Sequence, residues 1–355
     1  MRTSAFVAAV SVCGAFAVVM AGSSSAKAHD STHLSEKQRL AAIRRAQVWE
    51  PTRVASMNIR SGPPEPDAFQ PGQLVTCDYR DKPRSGRSPK FWCALTPDDE
   101  VKVKYGAANG EVYAEVAATR LFWALGFPAD RMYPVRVRCR GCSPDPHRDR
   151  RAAPSAVMFD HAALERRFGG TVLEDSGWSW EELDLVDPSA GGASLAQRDA
   201  LKLLAVLVQH TDSKAEQQRL MCADKTTDEA KVCEHPIMMV NDLGLTFGRA
   251  NLFNRNLVGS VNLEAWSSTP VWLDRSGCVG NLAISQTGTL NDPRISESGR
   301  KFLADLLLQL TDAQLRDLFE VARFSEREGT KRATTQEWVD AFKRKRSDIA
   351  TRTCH

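Results

Sequence analysis

Apolar positions along the chain repeat in two rhythms. Between Gln73 and Gly106 the runs QLVTCDY, KFWCAL and EVKVKYG alternate apolar with polar residues, and the basic turn RDKPRSGRSP separates the first two. This predicts a hairpin followed by a third strand. From Asn109 the segment NGEVYAEVAATRLFWALGF carries apolar residues at 112, 116, 117, 121, 124 and 125, a helical spacing with Asn109 as cap and Gly126 as stop. MYPVRVRC predicts another strand, and the three-proline polar stretch CSPDPHRDRRAAPS reads as a boundary. Beyond it the rhythm turns helical in SLAQRDALKLLAVLVQH, GRKFLADLLLQLTDAQLRDLFEVARF and TTQEWVDAFKRKRSDIA, with PIMMVNDLGLTFG as a short β-hairpin between them. Near the start, STHLSEKQRLAAIRRAQVWEPT predicts an amphipathic helix with Ser35 and Gln38 in capping-box positions and Pro51 ending it; SGPPEPDAFQPG follows as a linker. A β-rich first half with one helix before a mostly helical second half predicts an α+β fold in two lobes. The expected divisions are 1–28, 29–71, 72–142 and 143–355.

Residues 1–28 change the picture of compartment. Arg2 supplies a short positive region, AFVAAVSVCGAFAVVMA is apolar over 17 residues, and AKA precedes His29, the pattern of a cleaved secretory signal peptide. A retained anchor is the alternative, at the lower limit of spanning length. Loss of Arg2 and Lys27 with that leader takes the formal charge from +3 to +1, which gives no argument for nucleic acid or an anionic membrane. The expected product is secreted or periplasmic, without stable membrane insertion. Setting Cys13 aside leaves Cys77, Cys93, Cys139, Cys142, Cys222, Cys233, Cys278 and Cys354. An even number in an oxidising compartment reads as disulfides. Local proximity predicts Cys77 with Cys93, Cys139 with Cys142 and Cys222 with Cys233, leaving Cys278 with Cys354 by elimination. A zinc site on the C-x-x-C pair is the alternative.

Three stretches carry candidate chemistry. VLVQHTDSKAEQQRLMC interrupts apolar sequence with His210, Asp212, Lys214, Glu216 and Gln217. A carboxylate able to accept a hydroxyl proton, a lysine two residues on and an amide oxygen five residues on together suit phosphoryl transfer. In VNDLG, Asp242 at a strand end can hold a divalent cation. In EVKVKYG, Lys102 and Lys104 share one strand face, and Glu115 lies on the following helix within reach of a phosphate-positioning ion pair. Taken singly, each has an ordinary alternative as a solvated turn, an Asp-x-Gly turn or an exposed face. Trp178 and Trp180 read as core aromatics and FKRKRSD as a solvated helix face. No G-x-S-x-G elbow supports a hydrolase.

The order of these elements, strand lysine, helix glutamate, H-x-D-x-K-x-x-Q and then D-L-G, resembles the protein-kinase-like fold. HTDSKAEQ is similar to a kinase catalytic loop and NDLG to the metal-binding D-F-G element. AEVAATRLFWALGF and GRSPKF are most similar to the HipA-like and phosphoinositide-kinase-like branch, and the resemblance covers roughly residues 72 to 250. It implies a two-lobed fold, with a β-rich N-lobe over 72–142 and a helical C-lobe over 143–355, using ATP with Mg²⁺ or Mn²⁺. It makes Asp212 the catalytic base, Lys214 its aid at the transferred phosphate and Gln217 with Asp242 the metal ligands. Lys104 becomes the phosphate-contacting lysine, with Lys102 its rival, and Glu115 the partner. Gly86, Ser88 and Lys90 stand where the family covers the nucleotide phosphates. The chain departs in lacking G-x-G-x-x-G and A-P-E and in placing Gln217 where the family has Asn. The expected function is a secreted atypical kinase acting on a hydroxyl of a protein, lipid or small molecule. A nucleotide-binding pseudokinase and a disulfide-stapled structural or binding domain are the alternatives.

Overall fold

Alternation of Val, Phe, Tyr and Cys with polar residues gives each early strand one apolar face, and the strands bury it by closing on themselves. The computed structural model describes residues 34–354 apart from 85, 175, 225–232, 252–258, 275–276 and 283–287, so the expected leader at 1–28 lies outside the described residues. Strands β1 (Leu74–Arg80), β2 (Lys90–Thr96), β3 (Asp99–Tyr105), β4 (Arg131–Arg140) and β5 (Val157–Arg166) form a closed barrel in the order β1-β2-β3-β5-β4. The closing pair, β1 with β4, is parallel, and the other pairs are antiparallel. Val75, Phe91, Val101, Val103, Tyr133, Val135, Phe159 and Leu164 fill the interior. Strand β5 lies past the expected boundary at 142 yet completes this sheet, because Asp160 and His161 interrupt its apolar alternation and mask the strand in the sequence.

Helix α2 (Glu111–Leu125) is buried at every position except Trp123, lying between the barrel and the helical part of the molecule. The cap expected at Asn109 is shifted by one: Gly110 is the N-cap, while Asn109 Oδ1 accepts the Glu111 N–H at 3.2 Å. The helix stops at Gly126, whose φ of 85° is left-handed and whose added Cβ would lie 2.0 Å from the Glu50 carbonyl. Only glycine meets both demands. The carbonyl belongs to the stretch after helix α1 (Glu36–Arg45), which keeps its Ser35–Gln38 capping box but ends well before Pro51. This stretch runs along the end of α2, where Trp49 Nε1 donates to Leu125 O and the Glu50 N–H donates to Gly126 O.

A second core gathers α3 (Leu195–Val208), α4 (Leu263–Ser268), α5 (Glu297–Leu308), α6 (Asp312–Val321) and α7 (Thr335–Thr351) around the buried Trp178, Trp180, Trp266 and Trp338. Beside it stands a sheet of β6 (Thr171–Val172), β7 (Gln218–Cys222) and β8 (Pro236–Val240). The hairpin expected over 236–248 is absent among the described residues. Strand β8 pairs with β7 instead, and the chain beyond Val240 leaves as a loop in which Phe247 takes a φ of 53°. The expected solvated face FKRKRSD is also corrected at Lys345, which is buried over Trp266 at 5.2 Å and donates to Thr269 O.

All four cysteine pairs stand at disulfide spacing, with Cα–Cα distances of 5.6 Å for Cys77–Cys93, 5.7 Å for Cys139–Cys142 and Cys222–Cys233, and 5.4 Å for Cys278–Cys354. The zinc alternative for Cys139 and Cys142 gives way to this pairing. Among the described residues no helix is long and apolar enough to cross a membrane. The bridges should differ in worth, since Cys278–Cys354 closes a separation of 76 residues and Cys139–Cys142 one of 3. Chain entropy gives about 4 kcal/mol for the first and about 2 kcal/mol for the second. Urea unfolding of the two double alanine variants is expected to show the larger loss for Cys278→Ala/Cys354→Ala.

Candidate functional site

Strand β3 exposes Val101, Val103 and Tyr105 to the barrel interior, which sends Lys102 and Lys104 to the outer face where α2 lies. There Lys104 is fully buried. Its ammonium contacts Glu111 Oε2 at 2.7 Å, Glu115 Oε1 at 2.6 Å and Asp242 Oδ1 at 3.6 Å. Lys102 forms a different pair, at 2.5 Å from Glu165 on β5, so Lys104 is the lysine that meets Glu115. Burial opposes the charge of Lys104, but Asp242, Glu111 and Glu115 outweigh it and hold the ammonium well above its usual range. For Asp242, burial is likewise overcome by Lys104 and the carboxyl is held well below the usual carboxylate range. Glu115 goes the other way, pushed well up by burial and by Asp242 in spite of Lys104. Its second oxygen, Oε2, is buried with no hydrogen-bond partner.

The expected phosphate-covering turn adds a further cation. Ser88 and Lys90 are buried, and Lys90 stands across the β2–β3 ladder from Lys104. Burial and then Lys104 pull the Lys90 ammonium below its ordinary range, although Glu111 and Asp242 favour its charge. Gly86 takes a φ of 79° in this turn, and a Cβ there would come within 3.2 Å of Lys90 Nζ.

The polar cluster at 210–217 is set by the end of α3. Gln209 takes a left-handed φ of 56°, which stops the helix and turns residues 210–217 back toward β8. The Gln217 carbonyl accepts the N–H groups of Asn241 at 2.8 Å and Asp242 at 3.3 Å, so the two polar segments are joined backbone to backbone. Asp212 Oδ2 accepts from Gln217 Nε2 at 3.0 Å and Lys214 Nζ at 3.3 Å. Between them Ser213 is buried: its Oγ accepts the Leu290 N–H at 3.1 Å, and its carbonyl accepts from both the backbone and the hydroxyl of Thr289. His210 lies beneath, packed 6.1 Å from the Trp180 ring. Neither of its ring nitrogens has a hydrogen-bond partner, and burial lowers its pKa to about 4 although Asp212 and Asp242 both favour its charge.

The structure thus brings Lys104, Glu115 and Asp242 into one cluster and sets Asp212, Lys214 and Gln217 on the segment bonded to it. Sequence reasoning missed Glu111 and Glu165. Glu111 was legible as the carboxylate four residues before Glu115 on one helix face; Glu165 sits on the strand that went unrecognised. Glu111, Glu115 and Asp242 offer oxygens within 4.8 Å of one another. An all-carboxylate donor set with one orphaned buried oxygen fits a hard divalent cation such as Mg²⁺ or Mn²⁺.

No protein-family model and no curated protein matches the sequence. Among solved structures the chain is similar to the Helicobacter pylori proinflammatory kinase CtkA, at 10% identity over 79% of this chain and 97% of that chain, with a TM-score of 0.42. That likeness is too distant to argue from, and the functional reading rests on the site.

The buried histidine sets a pH dependence. Its folded pKa of about 4 lies below the unfolded value of 6.5, so the unfolded state binds more protons between them. The contribution is therefore complete above pH 6.5 and lost as pH falls toward 4, amounting to about 3 kcal/mol. Asp130, raised to about 6 by burial against Arg219, acts in the opposite sense over part of the same window, so a difference measurement is needed. In urea titrations, the stability of wild type relative to His210→Phe is expected to decline by this amount from pH 7 to pH 4. A constant difference would remove the assignment.

Proposed function

We propose that this chain is an exported, disulfide-stapled phosphotransferase of two-lobed, protein-kinase-like architecture, related to the HipA-like and phosphoinositide-kinase-like branch. It moves the γ-phosphoryl of ATP to a hydroxyl of a protein, lipid or small molecule. The barrel with α2 serves as the N-lobe and the helical part as the C-lobe. Four cysteine pairs at disulfide spacing support an oxidising compartment. The observation that carries the reading is the buried Lys104–Glu115 pair with Asp242 at 3.6 Å from the same ammonium. A strand lysine, a helix glutamate and an aspartate after a strand converge on one point, as positioning of a triphosphate requires.

In this reading Lys104 grips the phosphates and Glu115 orients it, while Ser88 and Lys90 receive phosphate oxygens from the turn above. Asp242 holds Mg²⁺ or Mn²⁺, for which the family pattern offers Gln217 as the second ligand; when bound, the cation would neutralise the triphosphate charge that the lysines leave uncompensated. Asp212 accepts the proton of the acceptor hydroxyl as its oxygen bonds to the γ-phosphorus and the bond to the β–γ bridging oxygen breaks, ADP leaving with that electron pair. Lys214 donates to the transferred phosphoryl oxygens. One observation favours a nucleotide-binding pseudokinase as the second reading: the Gln217 amide nitrogen is turned onto Asp212 at 3.0 Å, tying the ligand and the base to each other.

A thermal melt of the oxidised protein with ATP and Mg²⁺ or Mn²⁺, followed by radiolabel transfer, tests this. At ATP near 100 times its dissociation constant the stabilisation is about 2.7 kcal/mol, a rise of about 4 °C for a domain of this size. Asp242→Ala is expected to abolish the rise. Asp212→Asn is expected to keep it and lower transfer roughly 10²- to 10⁴-fold. A rise without transfer selects the pseudokinase, and a flat response with both metals overturns both readings.

A further inference from the structure

Three carboxylates converge on Lys104 where one partner would neutralise it. Lys102 is held at 2.5 Å by Glu165 and Lys90 stands across the ladder from Lys104, so both offset the carboxylates only from farther away than Lys104 does. The converging carboxyl groups are buried: Glu111 and Glu115 are nearly inaccessible, and Asp242 is only partly open. Uncompensated carboxylates in such a setting are strongly disfavoured. The first turn of α2 offers Glu111 a favourable end of the helix dipole, but that accounts for the residue and not for the convergence.

Two further observations point into the cluster. Glu115 uses Oε1 on Lys104 and leaves Oε2 buried, without a donor, facing the Asp242 carboxylate. Opposed carboxyl oxygens in such a place are joined by a shared proton or by a cation that takes the proton's place. Gly244 supplies the second. Its φ is unexceptional, yet a Cβ there would lie 2.6 Å from Glu111 Cγ and 3.0 Å from Glu111 Oε2. The glycine of the D-x-G turn is therefore needed for room: it lets the Glu111 carboxylate close onto the turn that carries Asp242.

We propose that Glu111 is a direct ligand of the divalent cation, completing with Asp242 and Glu115 a three-carboxylate site built across α2 and the turn after β8. The assignment rests on the cation-dependent reading above and deepens it, since it moves the second ligand from Gln217 to Glu111. Gln217, with its amide nitrogen on Asp212, acts instead to position the base.

Mn²⁺ titration followed by electron paramagnetic resonance, without nucleotide and with ADP, reads the site directly. Glu111→Gln keeps the side-chain shape and is expected to weaken Mn²⁺ binding at least tenfold. Gln217→Ala is expected to leave it within about twofold. Gly244→Ala, which pushes on the Glu111 carboxylate, should weaken it as well. Wild-type affinity in Glu111→Gln, or loss of affinity in Gln217→Ala, overturns the proposal. A measurement on the unaltered protein guards against a variant that does not fold: Fe²⁺ with ascorbate and peroxide is expected to cut the backbone near residues 111 and 242. Cuts at 217 and 242 without one near 111 overturn the assignment. If wild type transfers phosphate while Glu111→Gln retains its Mn²⁺ affinity, only the ligand assignment fails. If Mn²⁺ binding depends on Glu111 but no phosphate moves, the phosphotransferase reading fails and the cation site stands.

Discussion

A single ammonium buried against three carboxylates is the constraint around which this molecule is arranged. Taking such charges out of water is unfavourable unless their partners are held at hydrogen-bond distance, so every element that brings a charge must be rigid. The barrel fixes Lys104 by pairing β3 on both sides. Helix α2 delivers Glu111 and Glu115 and is itself immobilised by burial on nearly its whole circumference, with its far end tied to Trp49 and Glu50. Asp242 arrives from the sheet of the helical part, two residues past the end of β8, and its N–H and that of Asn241 hold the Gln217 carbonyl. Outside the cluster, Lys102–Glu165 and Arg219–Asp130 surround it with further buried pairs. The result is a region where removal of any one charge alters the balance of several neighbours.

The segment carrying Asp212 is held by a different device. It contains no regular element beyond one short turn at Ala215–Gln217, and its geometry comes from side chains and backbone that arrive from distant sequence. Ser213 is clamped by Thr289 and Leu290, and Thr211 by the Leu245 carbonyl. A polar loop buried on one side satisfies its hydrogen bonds through such long-range partners, while Asp212 and Lys214 remain partly open to solvent.

The sequence was most informative where one local rule sufficed. Helix α2 was legible because its period, its cap region and Gly126 agree, and the cysteine pairs because three of the four span at most 16 residues. Strand β5 was hidden because Asp160 and His161 break the alternation on a strand whose membership is decided by closure of the barrel, a non-local event. The run after Val240 looked like a hairpin because its composition suits one, yet β7 offered β8 a better partner. Lys345 lies in a basic helix end, and only the placement of Trp266 shows why its ammonium is inside. Gly244 looked like the glycine of an ordinary Asp-x-Gly turn; the tertiary approach of Glu111 gives it a steric reason. In each miss, a contact made across long sequence separation outweighed the local pattern.

The cysteines also have an order. Each pairs with the next one along the described chain: 77 with 93, 139 with 142, 222 with 233 and 278 with 354. No bridge encloses or crosses another. A chain delivered amino end first into an oxidising space would therefore form every native bond by joining each newly emerged thiol to its immediate predecessor. Joined in that order, the thiols reach the final connectivity with no exchange step. The last bond waits for Cys354, which follows α7, so it closes only once every helix of the second core has been delivered.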